Sequence, residues 1–354
     1  MWFAVDGALG GQIWISMKDI LAKLVAGATL SESETQGAFE HLISSQADPI
    51  QIGAFLALLA MREPTVDELA GAAQVMRRYV VPIEAPPDVI DTCGTGGTGS
   101  RIFNVSTAAA LVAAACGVPV AKHGNRAVTS RSGSADVLSV LGVHVEAPPD
   151  IQKKCLEQVG ICFAFAQQHH PAMRNVAHAR KVLGLATIFN LMGPLVNPAG
   201  ARRQLAGVPR PALTEKILAV LMRLGAKRAM VVCGRDPAEG FLCELSIGGP
   251  TQISLFDGKD VRGFSLVPED VGLTTAKSDA LQIDSPAASA GLIREIFAGQ
   301  VGPARDIVLL NAGAALWVAG KVQSIRDGIK MAAEAIASHQ VQNTLANLVR
   351  ISHG

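Results

Sequence analysis

From Met17 to about Val80, apolar residues recur at helical spacing and no stretch alternates as a strand would. Ile20, Leu21, Leu24 and Val25 share one helical face, and Ser31 to Ile43, Pro49 to Met61 and Thr65 to Val80 follow as three further segments. Asp48-Pro49 and Glu63-Pro64 separate them, and the proline-rich Val81 to Asp88 reads as a linker. The pattern predicts a small all-helical unit over 17–80. After the linker the period changes. Val118 to Ala121, Val143 to Glu146, Ile161 to Ala166 and Ala229 to Cys233 read as short apolar strands between helices that stop at Gly117, Gly142, Gly160 and Gly225. That alternation implies a mostly parallel central sheet flanked by helices. Asp257-Gly258, inside Thr251 to Leu266, signals a hairpin that adds antiparallel strands. Helices over 284–298 and 304–319, and a long one from Ser324 to about Ile351, close an α/β chain.

The most informative segment is DTCGTGGTGS, Asp91 to Ser100, set between a strand ending in Val89 and Ile90 and the alanine-rich helix AAALVAAAC. Glycines let backbone N–H groups turn towards a ligand, and a helix start adds partial positive charge, so the unit reads as an anion cradle. Thr95, Thr98, Ser106 and Thr107 supply neutral hydroxyls that do not repel an oxyanion. The spacing fits neither the dinucleotide G-x-G-x-x-G nor the Walker G-x-x-x-x-G-K-[ST]. A tight turn that binds nothing is the plain alternative.

A second loop shifts that balance. KHGNRAVTSRSGS, Lys122 to Ser134, follows the next strand with Lys122, His123, Arg126 and Arg131 beside Thr129, Ser130, Ser132 and Ser134. It reads as too polar for a core, and it falls at the carboxyl end of a strand, where open α/β sheets bind ligands. Two adjacent anion-friendly loops suggest a ligand with two phosphate groups; the alternative is a solvated basic loop.

DTCGTGG, FNVST, AKHGNRAVTSRSGSADVL, HHPAMRNVAHARKVLG and TIFNLMGPLVNPA, in that order, strongly resemble anthranilate phosphoribosyltransferase, the second enzyme of tryptophan biosynthesis from chorismate. The resemblance runs from about Met17 to the C-terminus. Pyrimidine nucleoside phosphorylases share the fold, but with a lysine-histidine-serine variant of the KHGNR loop. The resemblance implies that a helical excursion at about Pro171 to Leu191 completes the small domain, leaving 81–170 and 192–354 as the large one. It also implies a homodimer through the helical domain, for which Phe55, Leu58 and Leu59 offer apolar side chains, although burial inside the unit suits them equally.

The implied reaction attacks C1 of 5-phosphoribosyl-1-diphosphate with the amine of anthranilate and expels diphosphate. Holding the partners in line and stabilising the growing charge is then the protein's main task. Arylamines are unprotonated at neutral pH, so no catalytic base is obligatory, and His123 stands as a possible orienting contact. By match to the family's motifs, Gly94, Gly97, Thr98, Asn104, Ser106, Thr107, Lys122, His123, Gly124, Asn125, Arg126, Ser130 and Ser134 contact phosphoribosyl diphosphate. Gly94, Asn125 and Arg180 match contacts to anthranilate, and a guanidinium fork suits its carboxylate. The alternative for Arg180 is a surface arginine beside Arg174 and Lys181. Ser106 and Glu244 match ligands of Mg2+.

Three positions depart from the family. Thr98 stands for an aspartate, Ile102 for a threonine, and Cys243 for the aspartate of an Asp-Glu metal pair. Magnesium prefers hard oxygen, which thiols lack. Extra residues near Pro237 to Gly240 leave Asp236 and Glu239 as alternative carboxylates.

Bulk properties narrow the partners. A net charge of +1, with 17% charged residues, provides no field for nucleic acid or an anionic membrane. The six cysteines form no CxxC pair and read as buried thiols of a reduced cytoplasm. The uncharged run from Ile102 to Ala121 contains Asn104, Gly117 and Pro119 and suits a loop, helix and strand better than a membrane span. MWFAVDGALGGQIWIS lacks a basic leader region, and residues 1–16 read as an extension without assigned function. Two other functions remain open here: transfer to a different amine acceptor, and a non-enzymatic nucleic-acid-binding homologue.

Overall fold

The computed structural model describes residues 2–6, 12–44, 47–127 and 132–354, with side chains from Ser16 onward. Trp2–Asp6 (β1) and Gln12–Ser16 (β2) pair as an antiparallel hairpin where the sequence suggested only an extension. Four helices follow: Met17–Val25 (α1), Glu32–Ile43 (α2), Pro49–Ala60 (α3) and Val66–Arg78 (α4). Their starts are written in the sequence. Ser16 with Asp19, Ser31 with Glu34, and Thr65 with Glu68 form reciprocal capping boxes, which satisfy N–H groups the helix itself leaves free. Asp48 caps α3, with Pro49 in its first turn. Phe39 meets Phe55 edge-on at 6.0 Å and tilts against Phe189 at 5.4 Å, so a mid-chain residue reaches the heart of the helical unit.

The remaining elements are Ile90–Gly94 (β3), Val105–Ala115 (α5), Val120–Gly124 (β4), Ser134–Leu141 (α6), Pro149–Val159 (α7), Ile161–Phe165 (β5), Ala166–His169 (α8) and Arg174–Leu183 (α9). Then come Arg203–Gly207 (β6), Leu213–Arg223 (α10), Arg228–Asp236 (β7), Gly240–Leu242 (β8), Thr251–Phe256 (β9) and Val261–Leu266 (β10). Pro286–Phe297 (α11), Pro303–Ala319 (α12), Ile325–Ala337 (α13) and Gln340–Ser352 (α14) end the chain. The sheet runs β10-β9-β7-β6-β3-β4-β5, with β8 beside the end of β7. Strands β7, β6, β3, β4 and β5 are parallel, while β8, β9 and β10 add antiparallel pairings. The expected α/β architecture, a helical unit plus a mostly parallel sheet flanked by helices, is the one observed. Small side chains let α5 sit buried against β3 and α12, with Ala108, Ala109, Ala110 and Ala113 fully enclosed. Among the described residues no helix is long and apolar enough to cross a membrane.

Several local expectations are corrected. Val143 to Glu146 is not a strand, because its backbone is already committed: Val143 N–H closes α6 on Leu138 O, and His144 N–H donates to Ser352 Oγ. The long terminal helix breaks at His339, which is left-handed (φ 60°) and lets α14 fold back against α7. Strand β6 was not anticipated. Its sequence, RQLAG, opens on a charge and is too short to show a period, yet it lies at the centre of the sheet. Most consequentially, β3 and β4 start later than expected and run into the motifs. Pro119, lacking an N–H, stands before β4, so Lys122, His123 and Gly124 are strand residues.

Candidate active site

Asp91, fully buried on β3, sets the register of the site. Its carboxylate accepts the His123 N–H at 3.1 Å and the Asn197 amide at 2.8 Å, and the same amide donates to Ala121 O at 2.8 Å. Burial lifts the Asp91 pKa to about 6, against the pull of Lys122 and these donors. Lys122 is 3% exposed, contrary to the expectation that this segment is too polar for a core. Its ammonium is satisfied internally, donating to Thr92 O at 2.7 Å and Ser106 Oγ at 3.2 Å. Burial lowers its pKa, and the charges of Asp91 and Glu244 act in the opposite direction.

The Lys122–Ser106 bond ties the second loop's strand to the helix that follows the glycine loop. Gly96, Gly97 and Gly99 all adopt left-handed backbone, the conformation that turns N–H groups outward and that side-chain-bearing residues resist. Thr98 Oγ1 accepts the Ser100 N–H at 3.2 Å. Thr107 is wholly buried, and its hydroxyl has no partner among the described residues. Asn104 donates its amide to Ser132 O and Ser132 Oγ, both at 3.1 Å, and so bridges the two loops. Gly124 and Ser134 are in contact range, since a Cβ at Gly124 would fall 2.1 Å from Ser134 Oγ. Asn125 is exposed, and its Oδ1 receives the Arg126 N–H at 2.8 Å. Arg126 points to Asp136 (3.5 Å) and Glu146 (3.1 Å). Ser130, with Thr129 and Arg131, lies outside the described residues.

Ser106 and Glu244 line one cavity of about 10 Å3 with Thr92, Gly94, Gly207 and Cys243, room for about one water or small ion. Burial raises the Glu244 pKa to about 7, with Lys122 pulling it back. Ser106 and Glu244 offer two hard oxygen donors on the cavity wall, the donor type magnesium takes. The Cys243 thiol does not add to them. Burial pushes its pKa far up, and its Sγ lies 3.6 Å from Gly96 O and 3.9 Å from Thr95 Oγ1. Neither Asp236 nor Glu239 lines this cavity. Asp236 receives the N–H groups of Ala238 and Glu239 and the Ser278 hydroxyl, and Glu239 receives the Arg101 N–H and the Gln282 amide. Both carboxylates hold turns together.

His123 is 4% exposed, and its Nδ1 meets Gly193 O at 2.9 Å. Its Nε2 lies 3.3 Å from Nε2 of His170, a residue the sequence reading assigned no role. Burial lowers the pKa of His123 to about 4 and of His170 to about 3. Arg180, on α9, is partly buried with its guanidinium 5.2 Å above the Phe189 ring, and among the described residues it pairs with no carboxylate. Its neighbours Arg174 and Lys181 are exposed. Asp91, Asn197, His170 and Gly207 were missed. The HH pair before a proline and the acid opening the glycine motif were the available signals for His170 and Asp91.

Comparison with known proteins identifies the family. Residues 18–80 match the glycosyl transferase family helical bundle domain, and residues 86–341 match the glycosyl transferase family a/b domain. The chain is 48% identical over 335 residues to anthranilate phosphoribosyltransferase of Rhodospirillum rubrum, covering 95% of each protein. It is 46% identical over 338 residues to that of Methylobacterium radiotolerans, covering 96% of this chain and 97% of the relative. The crystal structure of the Thermus thermophilus enzyme superposes with a TM-score of 0.88 at 40% identity, over 95% of this chain and all of that one. The Saccharomyces cerevisiae enzyme in complex with PRPP and Mg gives 0.86 at 25% identity, over 95% and 98%. With Lys122 bonded to Ser106 beneath a glycine loop of this sequence, and relatives this similar along nearly its whole length, the chain belongs to the anthranilate phosphoribosyltransferase family.

Proposed function

We propose that this enzyme transfers the phosphoribosyl group of PRPP (5-phosphoribosyl-1-diphosphate) to the amine of anthranilate, giving N-(5-phosphoribosyl)anthranilate and diphosphate, in tryptophan biosynthesis. The observation that carries the reading is Lys122, a buried ammonium fixed between Thr92 O and Ser106 Oγ where two anion-friendly loops meet. Gly94, Gly97 and Thr98 offer backbone to the diphosphate, with Asn104, Ser106 and Thr107 at the start of α5. Lys122, His123, Gly124, Asn125, Arg126 and Ser134 face the same substrate from β4 and its loop. Ser130 belongs to this set by sequence alone. The unpartnered Thr107 hydroxyl supports it, because a buried hydroxyl without a partner is costly unless a ligand supplies one.

Ser106 and Glu244 are the residues that would hold magnesium. When bound, the ion would neutralise charge on the departing diphosphate. Gly94, Asn125 and Arg180 serve anthranilate, with Arg180 clamping the carboxylate. His123 orients and does not take a proton, since its depressed pKa makes it a weak base and its basic nitrogen, Nε2, already faces His170 Nε2 at 3.3 Å. The chain divides into a helical domain of 17–80, completed by 171–191, and a large domain of 81–170 and 192–354; the packing of Phe189 on Phe39 supports the completion. Phe55 and Leu59 are fully buried inside the helical unit and so are not available to a dimer contact; a homodimer through the helical domain would instead use exposed apolar side chains such as Ile50 and Met61, and the enzyme would work in the cytoplasm.

Mixing the protein with anthranilate, PRPP and magnesium should extinguish anthranilate fluorescence. Turnover with another arylamine but not anthranilate would move the acceptor assignment. No turnover together with salt-sensitive DNA binding would replace the enzyme reading.

A further inference from the structure

The turn between β7 and β8 reaches across to the far end of the glycine loop. Asp236 fixes the turn by accepting Ala238 N–H at 2.9 Å, Glu239 N–H at 3.0 Å and the Ser278 hydroxyl at 2.7 Å. Glu239 is thereby aimed inward, its side chain 4% exposed. One oxygen accepts the Arg101 backbone N–H at 2.7 Å, and the other accepts the Gln282 amide at 2.7 Å. Arg101 O receives Ile283 N–H at 2.8 Å, and Leu281 O receives Phe103 N–H at 2.9 Å, so residues 101–103 lie along 281–283 as a pinned strip. At the loop's near end, Thr95 N–H donates to Gly207 O at 2.8 Å. Between these anchors stand three left-handed glycines, which are conformationally permissive and hold no shape of their own.

Electrostatically, a carboxylate beside an anion-binding loop opposes the ligand, and here Arg101 Nε, 3.8 Å from Glu239 Oε1, offsets part of that charge. Its placement here is understood as geometry: Glu239 closes the strip where the glycine loop ends, and ties it to the turn that leads through β8 to Glu244. Resting on the function proposed above, we propose that Glu239 is a positioning residue for PRPP, holding the glycine loop at the span its backbone needs to meet the diphosphate.

The test compares Glu239→Ala, Glu239→Asp and Glu239→Gln in the full-length enzyme, by KM for each substrate and by thermal unfolding with and without inorganic diphosphate. Glu239→Ala should raise KM for PRPP five- to twentyfold, leave KM for anthranilate within twofold, and weaken the diphosphate-induced rise in Tm. Glu239→Asp keeps the charge but cannot span both donors, so it should show the same split. Glu239→Gln should stay within threefold of wild type, because its carbonyl can accept Arg101 N–H while its amide donates to a turned Gln282. A purely electrostatic role would make Ala and Gln alike and lower KM for PRPP. If Glu239→Ala fails to fold, the Asp and Gln variants carry the comparison. Unchanged KM for PRPP in Glu239→Asp, or equal losses for both substrates, would overturn the proposal while an active wild type left the transferase reading intact. A wild type that consumes no PRPP would overturn both.

Discussion

His123 and His170 face each other Nε2 to Nε2 at 3.3 Å, close enough for one ring to donate to the other. Gly193 O, 2.9 Å from His123 Nδ1, requires the hydrogen of His123 on Nδ1, so the network assigns the donated hydrogen to His170. Both rings are neutral in this arrangement, and a second proton on either would face the other in a buried site.

Stability should therefore depend on pH through this pair. Their folded pKa values, about 4 and about 3, lie below the ordinary 6.5. Above pH 6.5 neither folded nor unfolded histidines bind a proton and the pair's contribution is complete. As pH falls below 6.5 the unfolded chain binds protons first, and stability is lost at about 1.4 kcal/mol per pH unit for each ring until its folded pKa is reached. Asp91 acts with the opposite sign: its folded value of about 6 adds stability as pH falls from there towards 3.8. The decisive measurement is thus a difference. As pH is lowered from 8 to 4, denaturant midpoints should fall less steeply in His170→Asn than in wild type, and identical slopes would refute the assignment.

Arg180→Ala should weaken anthranilate binding by about 1.5–3 kcal/mol, the range for a hydrogen bond to a charged group. Binding of PRPP should be nearly unchanged. Arg180→Lys should recover little, because an ammonium offers no planar fork even with the Phe189 ring retained beneath it. Calorimetric titration of each substrate checks this, and parallel losses for both would indicate a disturbed helical domain.

Lys122→Ala should raise KM for PRPP far more than that for anthranilate. It should also lower Tm, since Thr92 O and Ser106 Oγ lose their shared donor. Gly97→Val should impair PRPP binding through backbone strain, for the position is left-handed although space around it is open. Gly207→Ala should fail for another reason: its Cβ would fall 1.6 Å from Cys243 O and displace the strand leading to Glu244. We expect about 3 kcal/mol of destabilisation there. A Gly97→Val enzyme with normal KM would reduce the loop to a structural turn.

Cys243→Asp should lower the magnesium concentration needed for half-maximal rate, and Glu244→Ala should nearly abolish turnover. Without magnesium, Cys243→Asp should be less stable than wild type, because a carboxylate beside Gly96 O meets a second acceptor. Added magnesium should restore it, giving a larger thermal shift than wild type shows. Asp236→Ala and Glu239→Ala should leave the magnesium requirement unchanged, since Asp236 Oδ1 and both Glu239 oxygens hold turns and neither residue lines the cavity of Ser106 and Glu244. A strong magnesium response in either would reassign the second ligand.

Local rules made much of this chain legible. Ser31 with Glu34 and Thr65 with Glu68 announce helix starts because capping is settled within four residues. Asp257-Gly258 announces its hairpin in the same way, and the glycine loop's conformation follows from glycine's freedom at positive φ. Candidate site residues could likewise be named wherever a motif is continuous.

What only the tertiary structure decided is which distant groups meet. Strand β6 carries no period, yet Gly207 on it makes room for Cys243, and no local pattern encodes a backbone approach between residues 36 positions apart. Lys122 looked like solvent-facing loop because its polarity is local, whereas its acceptors, Thr92 O and Ser106 Oγ, come from other elements. His170 lies 47 residues from His123. Asp236 and Glu239 were interchangeable carboxylates in the sequence; Asp236 anchors its own turn locally, but Glu239 became an anchor only when Arg101 and Gln282 were brought to it. Capping and turn chemistry act over a few residues along the chain, while burial and hydrogen-bond satisfaction are decided by neighbours that only folding supplies.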